Sequence, residues 1–308
     1  MANSKKNAVL LIAHGSPDSV DQVPDFLLRV TGGRPLPQLV VDEVKHRYGL
    51  IGRSPLTELT MKQAELLASK SGLPVYVGMR NWKPFIADAV GAMSSDGIEH
   101  AVAICLAPQN SRTSVGLYRS ALTSNRETPF TVDFVESWHD HPLLIKAFAE
   151  KLRVGWDRAC HEAEKNVPII FTAHSVPERT IAEGDPYESQ AKETASLVAR
   201  EAALSPEGWT FAFQSQGMSG GAWLGPRVED TILSLKEKGH RGVFLQPTGF
   251  LCDHVEVLYD IDIGFKQFAE THGMRLWRAQ SLNDSLLLAA ALADITRSRL
   301  VESAAHAQ

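Results

Sequence analysis

A chain of 308 residues, 44% hydrophobic and 22% charged, carries enough apolar material for a sizeable core and for two domains. A formal net charge of -5 excludes the basic face that tracks a phosphate backbone, so no nucleic-acid partner is expected and small-molecule chemistry is. The three cysteines, Cys105, Cys160 and Cys252, are too widely spaced for a disulfide framework or a C-x-x-C metal site, and they predict a reducing, cytoplasmic setting.

The first apolar run, residues 8–13 (AVLLIA), is too short for the apolar part of a signal peptide and far too short to span a bilayer. It reads as a buried strand, and His14 follows it directly. Residues 23–30 (VPDFLLRV) read as a helix with a buried face; the same apolar residues are also the candidate for a peripheral membrane contact. A helical period follows over 55–71, a short apolar run over 74–77, a second helix over 83–94 and a second strong apolar run over 101–106 (AVAICL). His139 and His141 alternate around Asp140 in the loop SWHDHP, where a metal would need a rigid backbone and a solvated loop is the plainer reading. Tyr48, Trp82, Tyr118 and Trp156 are spaced as packing residues.

A long helix over 142–164 separates this first set of strands and helices from a second. Apolar runs recur at 167–172 (VPIIFT), 209–214 (WTFAFQ) and 242–246 (GVFLQ), with helical segments over 187–203 and 225–238 between them. Strands alternating with helices predict an α/β fold in two lobes, residues 1–145 and 146–308. The last helix, over 286–304, could pack on either lobe. Chemistry in such sheets gathers beyond the carboxyl ends of the strands, where His14, His174 and His254 stand.

Between the second and third of these runs lies the glycine-rich segment 214–226 (QSQGMSGGAWLGP). It lacks both phosphate-loop signatures, so it reads either as a loop that a flat aromatic ligand approaches or as a turn with Trp223 in the core. After His254, a helix starting past Asp253 would put Glu256 and Asp260 on one face at i, i+4, a ladder able to pass a cation; Asp262 lies beyond. The same residue types also suit a helix cap, with Asp253 as N-cap and Glu256 completing a capping box. No G-x-S-x-G elbow is present, which disfavours acyl transfer.

Seven segments, in order along nearly the whole chain, together resemble the ferrochelatase family. They are LLIAHGSP, RYGLIGRSPL (47–56), LAPQNSRTSVGLY (106–118), FTAHSVP (171–177), GDPY (184–187), QSQG with WLGP (214–226) and PTGFLCDHVEVLYDID (247–262). The resemblance implies two Rossmann-like lobes with parallel four-stranded sheets flanked by helices, the class II chelatase arrangement, and a cleft that receives a porphyrin. It implies an enzyme, a lyase of haem biosynthesis, whose substrates are Fe²⁺ and a porphyrin, either protoporphyrin IX or coproporphyrin III.

On matching positions His174 resembles the family's active-site histidine and Glu256 its carboxylate partner. Arg47, Ser54 and Tyr118 match positions that hold porphyrin propionates. His14 stands where some relatives place a tyrosine facing the metal, so His14, His174, Glu256 and Asp260 form the implied metal-contacting set. Thr31 and Gly32 fall where coproporphyrin-using relatives carry arginines, Gly264 where an acidic residue would lengthen the ladder, and Gln109 where the family has a histidine. The cysteines do not supply clustered ligands for an iron–sulfur centre, so no cofactor is expected beyond the substrate iron.

Two other readings stay open. The HGS sequence at His14 also resembles the small chelatases that load cobalt or iron into sirohydrochlorin. A tetrapyrrole-binding protein without turnover would need the pocket and not the histidine–carboxylate pair.

Overall fold

The computed structural model describes residues 6–123, 128–217 and 221–306. They form two compact units, one of the described residues within 1–108, 114–138 and 283–308, the other of those within 109–113 and 139–282. The chain passes between them at 108–109, 113–114, 138–139 and 282–283, the third of these near the expected boundary at 145, and its last helix belongs to the first unit.

In the first unit, β1 (Asn7–Ala13), β2 (Val75–Met79), β3 (His100–Cys105) and β4 (Thr131–Val135) form a parallel sheet in the order β2-β1-β3-β4. The central strands β1 and β3 are buried along almost their whole length because helices cover both faces, which is why they read as unbroken apolar runs. Leu10, Ile12 and Ala103 pack on Ile86, Met93 and Leu122 from the helices Ile86–Ser95 and Val115–Thr123. The helix Leu56–Ser71 packs on the terminal helix Leu286–His306, and Gln63 donates to the Asn283 carbonyl at 2.6 Å near the start of that helix.

The second unit repeats the arrangement. β5 (Ile169–His174), β6 (Trp209–Gln214), β7 (Gly242–Pro247) and β8 (Arg275–Arg278) are parallel in the order β6-β5-β7-β8. On one face, Ile170, Ala212 and Leu245 pack on Ile232, Val257, Ile261 and Phe265. The helices Pro142–Ala163 and Tyr187–Glu201 pack on each other. Residues 109–113 are tied down here. Gln109 donates to Thr194 Oγ1 (3.1 Å) and the Thr248 carbonyl (3.2 Å), and the nearly inaccessible Asp185 carboxylate accepts from Ser111 Oγ, the Arg112 N–H and, as a cap, the Tyr187 N–H.

Two strands, β4 and β8, lie outside the apolar runs of the sequence. Both are edge strands, TVDFV and RLWR, and their polar residues have partners: Asp133 binds Arg299 at 2.7 Å, and Arg278 binds two carboxylates. The helix Gln38–Ile51 was likewise not read from the sequence, where only its end falls in the motif 47–56. Among the described residues, no helix is long and apolar enough to cross a membrane. In Val23–Val30, Val23 and Phe26 are buried and Leu28 is exposed.

Candidate active site

β5 ends in His174, and the loop after β7 (PTGFLCD) ends in His254. Two close approaches fix that loop. A Cβ on Gly249 would stand 2.8 Å from the Ala173 Cα, so only glycine lets the loop lie against β5 beside His174. The Thr248 and Gly249 amides both donate to the Thr172 carbonyl, at 2.9 and 3.2 Å.

The segment after His254 is not the continuous α-helix expected. One α-turn, Val255–Leu258, gives way to a π-helical turn, Asp260–Phe265, in which the Gly264 N–H reaches back five residues to the Tyr259 carbonyl at 2.8 Å. The helix bearing Glu256 thus runs only one turn before Asp260 opens the π-helical one. The capping alternative also fails. Asp253 is engaged by Arg278 and Ser281, and the Glu256 side chain turns to two imidazoles.

Glu256 is the centre of the arrangement. Its Oε1 lies 3.2 Å from His174 Nε2 and its Oε2 lies 3.1 Å from His254 Nε2. His174 Nδ1 faces the Ser175 carbonyl, and His254 Nδ1 lies 2.9 Å from the Cys252 carbonyl. A carbonyl oxygen only accepts, so each Nδ1 carries a proton. Each Nε2 faces a carboxylate oxygen, so it too is best occupied by a proton. The geometry favours the protonated form of each ring, so a proton taken up at either Nε2 is held by the shared carboxylate.

The electrostatics agree. Burial opposes charge on His174 and His254, but the Glu256 carboxylate outweighs it and raises both. Burial would likewise raise Glu256, yet the two imidazoles hold it well below the usual carboxylate range. A third of the His174 and Glu256 side chains stays exposed, so both are reachable from outside.

Supporting groups surround the three. Gln214, at the end of β6, donates to the Glu256 carbonyl at 2.9 Å. Tyr187 donates to the His174 carbonyl at 2.9 Å; burial and the nearby Glu256 charge push its phenol up, so it remains a donor. Ser215 donates to the Asp260 carboxylate. The Phe250 ring lies against both histidines, with centroids 6.5 Å from His174 and 4.9 Å from His254. The glycine-rich segment braces this wall. Leu224 accepts from Ser175 Oγ at 2.9 Å, and the half-buried Trp223 closes over Gly217, where a Cβ would meet its ring at 2.5 Å; Met218, Ser219 and Gly220 of that segment lie outside the described residues.

Of the residues singled out from the sequence, His174, Glu256 and Asp260 thus come together in the second unit. His14 follows β1 in the first, exposed, with Nδ1 3.0 Å from the Gly15 carbonyl and its ring edge-on to Phe26 at 5.8 Å. Arg47 pairs with Glu43 at 2.9 Å on the helix Gln38–Ile51; Ser54 is buried between helices. The Tyr118 ring lies in the core beside Leu10 and Met93. The member that sequence reasoning left out of the site is His254, although its place after a strand was visible. The pair in SWHDHP is structural: His139 is buried on Glu193 at 2.9 Å, and His141 caps the helix Pro142–Ala163. Among the described residues, no three His, Cys, Asp or Glu side chains are grouped as a resident metal site.

Comparison with known proteins gives a consistent family. The family model described as Ferrochelatase matches residues 6–300. A ferrochelatase of Acidobacterium capsulatum is 53% identical, covering 96% of this chain and 95% of the relative, and one of Deinococcus radiodurans is 39% identical over 99% of both. A coproporphyrin III ferrochelatase of a Geobacillus species is 34% identical, covering 96% and 98%. Among solved structures, the sirohydrochlorin chelatase SirB of Bacillus subtilis in complex with cobalt aligns over 94% of this chain and 93% of its own with a TM-score of 0.55. At 11% identity that likeness concerns the fold: two parallel sheets flanked by helices in the class II chelatase manner.

Proposed function

The chain belongs to the ferrochelatase family, and from that membership we propose that it inserts Fe²⁺ into a porphyrin, with His174 and His254 as proton acceptors and Glu256 as the group that holds them. The observation that carries the site assignment is the bridging carboxylate, one oxygen on each Nε2. A free-base porphyrin gives up two N–H protons for each dication it takes. Two neutral imidazoles match that count, and their protonated products are the species the Glu256 carboxylate stabilises.

Asp260, on the π-helical turn and bonded to Ser215, is assigned to the approach of the metal, to which hard oxygen donors are suited. His14 is assigned to the metal as a nitrogen donor, and Arg47 and Ser54 to the substrate carboxylates. Tyr118, with its ring in the core, would contribute only through its hydroxyl. Iron is substrate and no resident cofactor is invoked. The setting we assign is a reducing cytoplasm.

The sirohydrochlorin alternative rests on the HGS sequence at His14 and a likeness of fold at 11% identity, against sequence relatives named ferrochelatase at 39% and 53%. Purified protein offered Fe²⁺ with porphyrin, and Co²⁺ with sirohydrochlorin, followed by absorbance, tests the choice. Iron insertion into porphyrin is expected; cobalt insertion alone would overturn it. Porphyrin binding without turnover under any metal would favour the binding protein instead.

A further inference from the structure

We propose that Arg278 is a positioning residue for this site: its guanidinium ties Asp253 to Asp262 and so fixes the turn that carries His254, Glu256 and Asp260. Arg278 Nε lies 2.6 Å from Asp262 Oδ1 and Nη2 lies 2.8 Å from Asp262 Oδ2, a two-pronged pairing. Nη2 also reaches Asp253 Oδ1 at 3.2 Å, and Nη1 donates to the Ala279 carbonyl at 2.9 Å. Ser281 Oγ donates to the same Asp253 oxygen at 2.8 Å. The Arg278 side chain is only 15% exposed, and Asp253 is buried further than Asp262, which reaches 37% exposure.

The two carboxylates bracket the chemistry. Asp253 immediately precedes His254, and Asp262 lies in the π-helical turn just past Asp260. One α-turn followed by a π-turn has little stability of its own, because few backbone bonds fix many torsions. Val257, Ile261 and Phe265 hold it by packing on the sheet. Arg278 holds its two ends, and Arg278 stands on β8, paired with Leu245 of β7, so the sheet itself carries the clamp. With both oxygens of Asp262 taken by the guanidinium, that carboxylate is also withheld from a cation passing Asp260.

A plainer role would be charge balance, one cation offsetting two anions. Lysine separates the two, since it keeps the charge and loses the planar fork that spans both carboxylates. The catalytic part of the inference rests on the chelatase reading; the clamp does not, and the test reads them separately. Amide hydrogen exchange is followed in Arg278→Lys, Arg278→Met and Asp262→Asn, together with kcat and KM for Fe²⁺ insertion into porphyrin.

Exchange over residues 254–265 is expected to rise by about tenfold or more in all three variants, while the amides of β5 and β7 stay as in the wild type. The kcat of Arg278→Lys is expected to fall by about 10- to 100-fold, with KM for porphyrin within about threefold, as displacement of reacting groups by an ångström would give. Wild-type exchange and kcat in Arg278→Lys would reduce the role to charge balance and overturn the proposal. Exchange rising uniformly over β5 to β8 would overturn it too, by making Arg278 a general support. Should Arg278→Met not fold, the Lys and Asn variants decide by the same criteria. A wild type that turns over no porphyrin would sink the chelatase reading, and the exchange pattern would still decide the clamp.

Discussion

Glu256 and His174 meet at 3.2 Å across two different connections of one sheet, the carboxylate from the segment after β7 and the imidazole from the end of β5. Glu256→Gln keeps the shape and removes the charge that favours the imidazolium. We expect kcat to fall by about 10²-fold or more, the usual scale for lost general base catalysis, while porphyrin affinity, read by quenching of protein fluorescence, changes little. Turnover within a few-fold of wild type would place the proton acceptor elsewhere.

The pH dependence has a definite sign. His174 and His254 are raised above 6.5 by Glu256, so their contribution to stability is complete below about 6.5 and is lost as pH rises through their folded values. Glu256 is depressed below 4.5, so its contribution is complete above about 4.5 and is lost as pH falls through its folded value. The difference in Tm between wild type and Glu256→Gln is therefore expected to be greatest between about pH 4.5 and 6.5 and to shrink on either side. Activity, which needs neutral imidazole, should rise with pH through a limb above about 6.5, and the limb should move to lower pH in Glu256→Gln. A limb unmoved by the substitution would detach it from these histidines.

Tyr187 donates its phenol proton to the His174 carbonyl at 2.9 Å. Tyr187→Phe leaves that buried acceptor without its donor, at a cost of about 1 to 3 kcal/mol. Thermal unfolding should show the loss, and kcat should drop several-fold with porphyrin KM unchanged. A variant as stable as wild type would mean that the carbonyl is satisfied by another route.

Asp260→Asn removes a negative charge from the π-helical turn and leaves the Ser215 contact possible. If Asp260 assists the metal on its way in, KM for Fe²⁺ rises by about tenfold while kcat at saturating iron stays within a few-fold. A fall in kcat at saturating iron with KM unaltered would assign Asp260 to the chemical step.

Gly249→Ala forces a methyl group to within 2.8 Å of the β5 backbone at Ala173. Neither strand can yield cheaply, so a loss of about 1 to 3 kcal/mol is expected in denaturant unfolding, with lowered kcat because His174 is the next residue along β5. An unchanged midpoint would show that the loop can lift from the strand.

The buried centre of the fold was legible in the sequence because β1, β3, β5 and β7 lie under helices on both faces and so carry unbroken apolar runs. The edges were not. Asp133 in β4 and Arg278 in β8 look like loop residues until their partners, Arg299 and Asp262, are seen. Within the site, His174 and Glu256 were indicated by motif, whereas His254 looked like one strand-end histidine among several. What sets it apart is the second oxygen of Glu256, a contact that spacing does not encode. The change from α- to π-helical winding after Tyr259 was likewise invisible, since VEVLYDIDIGF has the apolar period of an ordinary helix.

β1 and β5 hold the same place in sheets of the same order, and each ends in a histidine whose Nδ1 faces the carbonyl of the following residue. The chain thus uses one backbone device twice to hold an imidazole by its Nδ1. In either copy a flipped ring would forfeit the Nδ1 bond, so orientation is locked before any ligand arrives. What differs is the company each ring keeps: the Glu256 carboxylate and the Phe250 ring beside His174, the Phe26 ring beside His14. Exchanging those neighbours, with the strands untouched, would be the direct way to ask whether a proton taker and a metal donor are interchangeable parts.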